Sequence, residues 1–222
     1  MVGAADAPVV AVLTRAPSSG GKSRLFGELG RPTDPVLLRA LLLDTFAAID
    51  LPHVARAIAV TPATAISEIR ALAPEAQVIA QPEGDLGERM HATMAHFLVR
   101  GARGVALIGS DVPHINPTTI TSAFDCLAAD RNALVVGPAT DGGYYLVAAA
   151  RVPAIFTGIE WGSEHVLART IAAARADGFD VHQLEPLADI DSLSDLRRAV
   201  VSGRAPRTAA WHRAHVPGGD GR

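Results

Sequence analysis

The sequence predicts an α/β fold in three layers, a mostly parallel sheet with helices on both faces. Two observations predict it. Short aliphatic runs bounded by turn residues alternate with longer segments of helical period. Apolar residues make up 49% of the 222-residue chain but aromatics only 5%, so Ala, Val, Leu and Ile must fill the interior, which suits packed α/β layers. The length fits one domain with a sizeable core.

Taken in order, Pro8 to Thr14 (PVVAVLT) reads as a buried strand. Asp34 before Pro35 opens a helix to about Ile49, the carboxylate capping amides and proline filling the first turn. A strand over Ala55 to Thr61, a helix to about Ala73 and a strand over Gln77 to Gln81 follow. From Gly87 to Val99, Met90, Met94, Phe97 and Leu98 share one helical face. Gly104 to Gly109 is a further buried strand, and Asn116 with Pro117 opens the next helix. Ala133 to Gly137 and Tyr144 to Ala149 are strands. Ser163 starts a helix ending near Gly178, then Val181 to Leu184 is a short strand. Ser192 with Asp195 resembles a capping box for a last helix. Residues 1–202 are read as the domain, and 203–222, rich in Gly, Pro, Arg and His, as a flexible tail.

Bulk properties narrow the function. A formal charge of −3 offers no electrostatic case for nucleic acid or an anionic membrane. No apolar run reaches the roughly 18 to 20 residues of a membrane span, and Met1 to Pro8 lack the basic and apolar pattern of a signal peptide. Cys126 is the single cysteine, which excludes an internal disulfide and fits a cytoplasmic location. No G-x-S-x-G elbow or zincin motif occurs.

Ligands on such a sheet bind beyond the carboxyl ends of its strands, and the unusual residues fall there. Arg15 to Leu25 contains Gly20 and Gly21, whose backbone approaches an anion closely, with Lys22 and Arg24 for phosphate charge. It is not a P-loop, since Ala16 stands where the first glycine belongs; a solvated basic turn is the alternative. In Gln81 to Arg89, Gln81 suits a nucleobase edge and Gly84 permits a ring against backbone. Helix capping by Asp85 or Glu88 explains that segment equally. Gly109-Ser110-Asp111-Val112-Pro113 ends a purely aliphatic strand in a carboxylate, a suitable place for Mg²⁺ shared with phosphates; an Asx-type turn is the plainer reading. Asp141-Gly142-Gly143-Tyr144 is either an acceptor site, with Asp141 binding or acting as base, or a tight hairpin. In Ala188-Asp189-Ile190-Asp191-Ser192 both acids point the same way, and one of them could complete a metal site with Asp111.

Together these segments resemble the DUF2064 family, often labelled arsenosugar-biosynthesis-type glycosyltransferases, within the nucleotide-diphospho-sugar transferases of Rossmann-like GT-A fold. The resemblance spans about Val9 to Arg198. It rests on Arg15-Ala16-Pro17 with Lys22 to Leu25, Gly84 to Met90, Gly109 to Pro113, Gly137 to Ala139 with Asp141 to Leu146, and Asp189 to Ser192. Ser23 stands where the family usually has Thr, and Gly20-Gly21 replaces glycine plus a bulkier residue. The resemblance implies that Lys22 and Arg24 hold phosphates, that Arg15, Gly20, Gly21, Gln81, Gly84 and Asp85 complete the nucleotide site, and that Asp111 and Asp191 bind Mg²⁺ or Mn²⁺. It implies an acceptor at Asp141, Gly142, Gly143 and Tyr144, with catalysis by Lys22, Arg24, Asp111 and Asp141.

The expected function is therefore metal-dependent transfer using a nucleoside triphosphate or nucleotide sugar and a small-molecule acceptor, a homodimer being open. The basic first loop favours nucleotidyl transfer to a phosphorylated small molecule, because a triphosphate needs more positive charge. The family label favours glycosyl transfer, and a non-catalytic nucleotide sensor has no need for both Asp111 and Asp191. The transferase readings carry one spatial expectation, that Lys22 and Arg24 face Asp111 and Asp191 across a pyrophosphate-sized gap at one sheet edge.

Overall fold

The computed structural model describes residues 6–216. Its strands are β1 (Val9–Arg15), β2 (Ala55–Thr61), β3 (Gln77–Ala80), β4 (Val105–Gly109), β5 (Ala133–Pro138), β6 (Tyr144–Ala149) and β7 (Asp180–Gln183). They form one sheet in the order β3-β2-β1-β4-β6-β5-β7. Only β6 runs against its neighbours β4 and β5; the other pairings are parallel. This is the expected mostly parallel α/β architecture.

The helices are α1 (Ser23–Glu28), α2 (Pro35–Ala48), α3 (Ile66–Leu72), α4 (Leu86–Leu98), α5 (Pro117–Ala129), α6 (Val166–Ala176), α7 (Leu193–Val201) and α8 (Pro206–His215). Strand alternation sorts the sheet's side chains between two cores. Val10, Val12, Ile58, Val60, Ala106 and Ile108 pack with α2, α3 and α5 on one face. Val9, Ala11, Val105, Leu107, Val136 and Val147 pack with α4 and α6 on the other. The helix starts read from sequence are present: Asp34 accepts from Val36 N at 2.9 Å, Asn116 accepts from Thr118 N at 3.1 Å, and Ser192 with Asp195 forms a capping box.

Three elements differ from expectation. α1 lies inside what reads as an irregular loop; at six residues it is too short to show a period. α6 begins at Val166 rather than Ser163, whose hydroxyl is buried and makes no capping bond. The expected flexible tail from 203 is corrected over its described part: Pro206–His215 is helix α8, packed against α2. Residues 217–222 of that tail, and residues 1–5 of the opening segment, lie outside the described residues.

The polar composition of α8 hides its anchors. Asp44 of α2, buried, accepts from Thr208 N at 2.8 Å, Thr208 Oγ1 at 2.9 Å and the Arg207 guanidinium at 3.2 Å. Trp211 donates from Nε1 to Asp34 Oδ2 at 2.8 Å and meets Phe26 edge-on. Trp211 thereby joins a third apolar cluster with Leu25 and Phe26 of α1, Leu37 and Leu41 of α2, Leu196 of α7, and Ile190. Replacing Trp211 by Ala should cost about 3 kcal/mol of unfolding free energy in urea, the usual scale for a buried aromatic. A loose tail would show no change.

Candidate active site

The parallel strands direct their carboxyl ends to one edge, and the strand order reverses between β1 and β4. At that crevice Thr14 Oγ1 lies 3.1 Å from Ser110 Oγ, so the end of β1 touches the loop after β4. Thr45 of α2 donates to Ser110 O at 3.1 Å and holds the second loop down. β6 enters the same edge from the turn after β5, bringing Asp141. The chain beyond β7 then returns along the edge, bonding through Leu184 N to Val136 O, Leu187 N to Pro138 O and Ile190 N to Asp111 O at 3.0 Å. Ile190 is buried in the third cluster, so Asp189 and Asp191 on either side of it face the opposite way, towards Asp111.

These three carboxylates offer oxygens within 4.8 Å of one another. Lys22 reaches into them, its Nζ 2.7 Å from Asp111 Oδ2 and 2.6 Å from Asp191 Oδ1. Gly20 (φ +75°), Gly21 (φ +142°) and Lys22 (φ +54°) take consecutive left-handed conformations that turn the loop inward; the glycines carry that at little steric cost. Burial works against the Lys22 charge, but the Asp111 charge and the bonds to both acids outweigh it, so its pKa lies above the ordinary lysine value. Burial, then repulsion from Asp111 and Asp191, pushes Asp189 up to about 6.

A cleft of about 450 Å³ opens here. Its lining includes Arg15, Gly20, Gly21, Lys22, Asp111, Asp141, Gly143, Tyr144 and Asp189. Asp141 is held by the Gly143 N–H at 2.9 Å. Gly142, at φ +92°, lies behind it, where a Cβ would strike Glu164 O at 2.3 Å. The segment is a tight hairpin turn, and its Asp and Tyr line the cleft. Burial raises the Tyr144 hydroxyl well above its ordinary value.

Several expected residues are elsewhere. Arg24 is exposed on α1 and pairs with Glu28 at 3.6 Å; one turn of helix carries it away from the cleft. Gln81 is buried, and its amide nitrogen donates to Thr14 O at 3.0 Å and Ala59 O at 2.6 Å, so its donors are consumed in tying β1 to β2. Asp85 and Glu88 form a reciprocal capping box at the start of α4, and Gly84 makes room for Glu88, whose carboxylate a Cβ would meet at 2.1 Å. The expected gap is absent too: Lys22 bonds directly to the acids. Asp189, weighed with Asp191 as the one partner for Asp111, joins the cluster alongside Asp191 rather than instead of it, and Leu86, Met90 and Trp161 line the cleft without having been singled out for the site. For Trp161 the signal was a large aromatic between Gly158 and Gly162, outside any periodic run.

The carboxylate set fits a hard divalent cation: clustered oxygen donors and no thiolate, as Mg²⁺ or Mn²⁺ prefers. Lys22 meanwhile supplies the positive charge that such a group of acids requires.

The fold and this centre define a transferase of the nucleotide-diphospho-sugar transferase type. The chain belongs to the DUF2064 family, uncharacterized proteins conserved in bacteria, whose model matches residues 43–163. It is similar to a phosphoenolpyruvate guanylyltransferase of Streptomyces scabiei (strain 87.22), 31% identical over 204 residues that cover 87% of this chain and 91% of the relative. A protein of the same name from Streptomyces avermitilis is 29% identical over 210 residues, covering 90% and 92%. Among solved structures, a candidate nucleotide-diphospho-sugar transferase from Desulfovibrio desulfuricans G20 superposes with a TM-score of 0.84 at 28% identity, covering 94% of this chain and 96% of that one.

Replacing Lys22 by Met leaves the acids uncompensated. The variant should melt lower than the parent in chelator and gain more from added Mg²⁺ than the parent gains. Equal Mg²⁺-induced rises in melting temperature would show that Lys22 and the cation do not share these carboxylates.

Proposed function

We propose that this protein transfers a nucleotidyl group from a nucleoside triphosphate, GTP by similarity to the Streptomyces relatives, to a phosphorylated small molecule. An acceptor phosphate oxygen attacks the α-phosphorus; the bond from that phosphorus to the bridging oxygen breaks, and pyrophosphate leaves with its electron pair. The acceptor is already an anion, so no protein base is needed, and positioning with charge neutralisation supplies most of the catalysis.

The observation carrying this reading is Lys22 beside Asp111, Asp189 and Asp191 at the β1–β4 crevice. Mg²⁺ or Mn²⁺ on those three acids would neutralise the triphosphate. Lys22 then donates to phosphate oxygens as charge builds on the leaving group, and the Gly20-Gly21 backbone lies close to the same oxygens. Arg15 lines the cleft as a second cation. Asp141, fixed by Gly143, borders the acceptor side with Gly142 behind it and Tyr144 beside it. Glycosyl transfer is the second reading, favoured by the Desulfovibrio neighbour.

The test is incubation with GTP, Mg²⁺ and phosphorylated acceptors. Acceptor-dependent pyrophosphate is the expected product; free nucleoside diphosphate from a nucleotide sugar would mark glycosyl transfer instead. Asp111→Asn should lower kcat at least about a hundredfold, the scale of losing one charge-stabilising group, with the fold retained by circular dichroism. Lys22→Ala should be similarly impaired. Arg24→Ala, away from the cleft, should stay within about threefold of the parent, since it lacks any such transition-state contact; a hundredfold loss there would move the phosphate site onto α1.

A further inference from the structure

The charged lining of the cleft is confined to its rim. Arg15, Lys22, Asp111, Asp141 and Asp189 all sit at or beyond the strand ends. Beneath them, on the face covered by α4 and α6, the cleft continues as an apolar recess. Its floor is Leu13, Leu107 and Val147, with Leu107 and Val147 directly paired across β4 and β6. Its walls include Met90, Tyr144 and Trp161. Trp161 stands edge-on to Tyr144, ring centroids 6.4 Å apart at 81°. Its indole edge rests on Gly87, where a Cβ would come within 2.8 Å of the ring.

The side-chain polar atoms of these walls are buried rather than presented to the cleft, the unpartnered Ser163 hydroxyl on the same lining included. Tyr144 OH contacts Met90 Sδ at 3.9 Å, and Trp161 Nε1 is buried without a partner among the described residues. A nucleobase edge, with several donors and acceptors, would lose its hydrogen bonds to water here and regain few. A carboxylate would fare worse, with no cation among the described residues that line the recess. An uncharged apolar body fits both constraints.

We propose that the recess selects the acceptor: a phosphate monoester whose phosphate stays at the rim while an apolar, ring-sized body enters between Trp161 and the sheet. Trp161 is then a specificity-determining residue, and Gly87 positions it. The inference rests on the nucleotidyl-transfer reading, and it sets this chain's acceptor apart from small phosphorylated acids.

The experiment is calorimetric titration of the full chain, loaded with a non-hydrolysable GTP analogue and Mg²⁺, using phenyl phosphate and phosphoglycolate. Phenyl phosphate should bind about tenfold more tightly, as expected for burying one aromatic ring. Trp161→Ala should reduce that preference below about threefold through lost ring contact, and Trp161→Phe should restore it. If Trp161→Ala fails to fold, Trp161→Leu, which keeps apolar volume but removes the ring, should reduce the same preference. Phosphoglycolate binding as tightly as phenyl phosphate, or phenyl phosphate displacing the nucleotide analogue, would overturn the proposal. Pyrophosphate release with GTP is scored separately. The binding preference without pyrophosphate would leave the recess standing and sink nucleotidyl transfer; pyrophosphate from phosphoglycolate alone would do the reverse.

Discussion

The arrangement of this molecule turns on one ammonium group among three carboxylates. Lys22 comes from the first loop, Asp111 from the fourth strand's end, and Asp189 and Asp191 from the returning segment near the end of the domain. Three acids within 4.8 Å of one another repel, and partial burial strengthens that repulsion. Without a cation that repulsion would work against the backbone bonds that hold the returning segment to the sheet edge. Lys22 makes the cluster tenable, and it does so with a flexible side chain that can release the acids to another positive charge.

The backbone prepares this meeting. Ile190 bonds to Asp111 O and buries its side chain between α1, α2 and α7, which sets the acids on either side of it towards the cleft. That small cluster is closed by Trp211 of α8, itself held by Asp34, and Asp44 receives the start of the same helix. The C-terminal helix thus belongs to the support of the acid centre, although it contributes nothing to the cleft. Glu28 of α1 accepts from Leu193 N at 2.8 Å at the start of α7, which links the segment carrying Lys22 to the one carrying the acids.

The layers and the acids were legible because each leaves a local mark. Aliphatic runs such as Val105 to Ile108 announce buried parallel strands, and a carboxylate after such a run announces an edge. Asp34 and Asn116, each before proline, announce helix starts. Roles that depend on which way a side chain turns were not legible. Arg24 is two residues from Lys22, yet a turn of helix sends it to solvent. Gln81 has the right chemistry for a base, but two main-chain carbonyls compete for its amide and win. The tail was misread for a related reason: its helix is held by one tryptophan and two distant aspartates, and no period within the segment records partners on α2.

The segment Gly84-Asp85-Leu86-Gly87-Glu88 shows how a motif can be strict without touching a ligand. Glu88 must fold back to bond Asp85 N at 2.8 Å, and its carboxylate then occupies the space a side chain at residue 84 would need. Residue 85 must carry a short side-chain acceptor, here the Asp85 carboxylate, to cap Glu88 N. Gly87 must lack a side chain because Phe156 O and the Trp161 indole fill that volume. Leu86 alone among the five lines the cleft. The pattern reads like a ligand fingerprint because packing constraints fall on successive residues, and its product is a helix start firm enough to seat the aromatic wall of the recess.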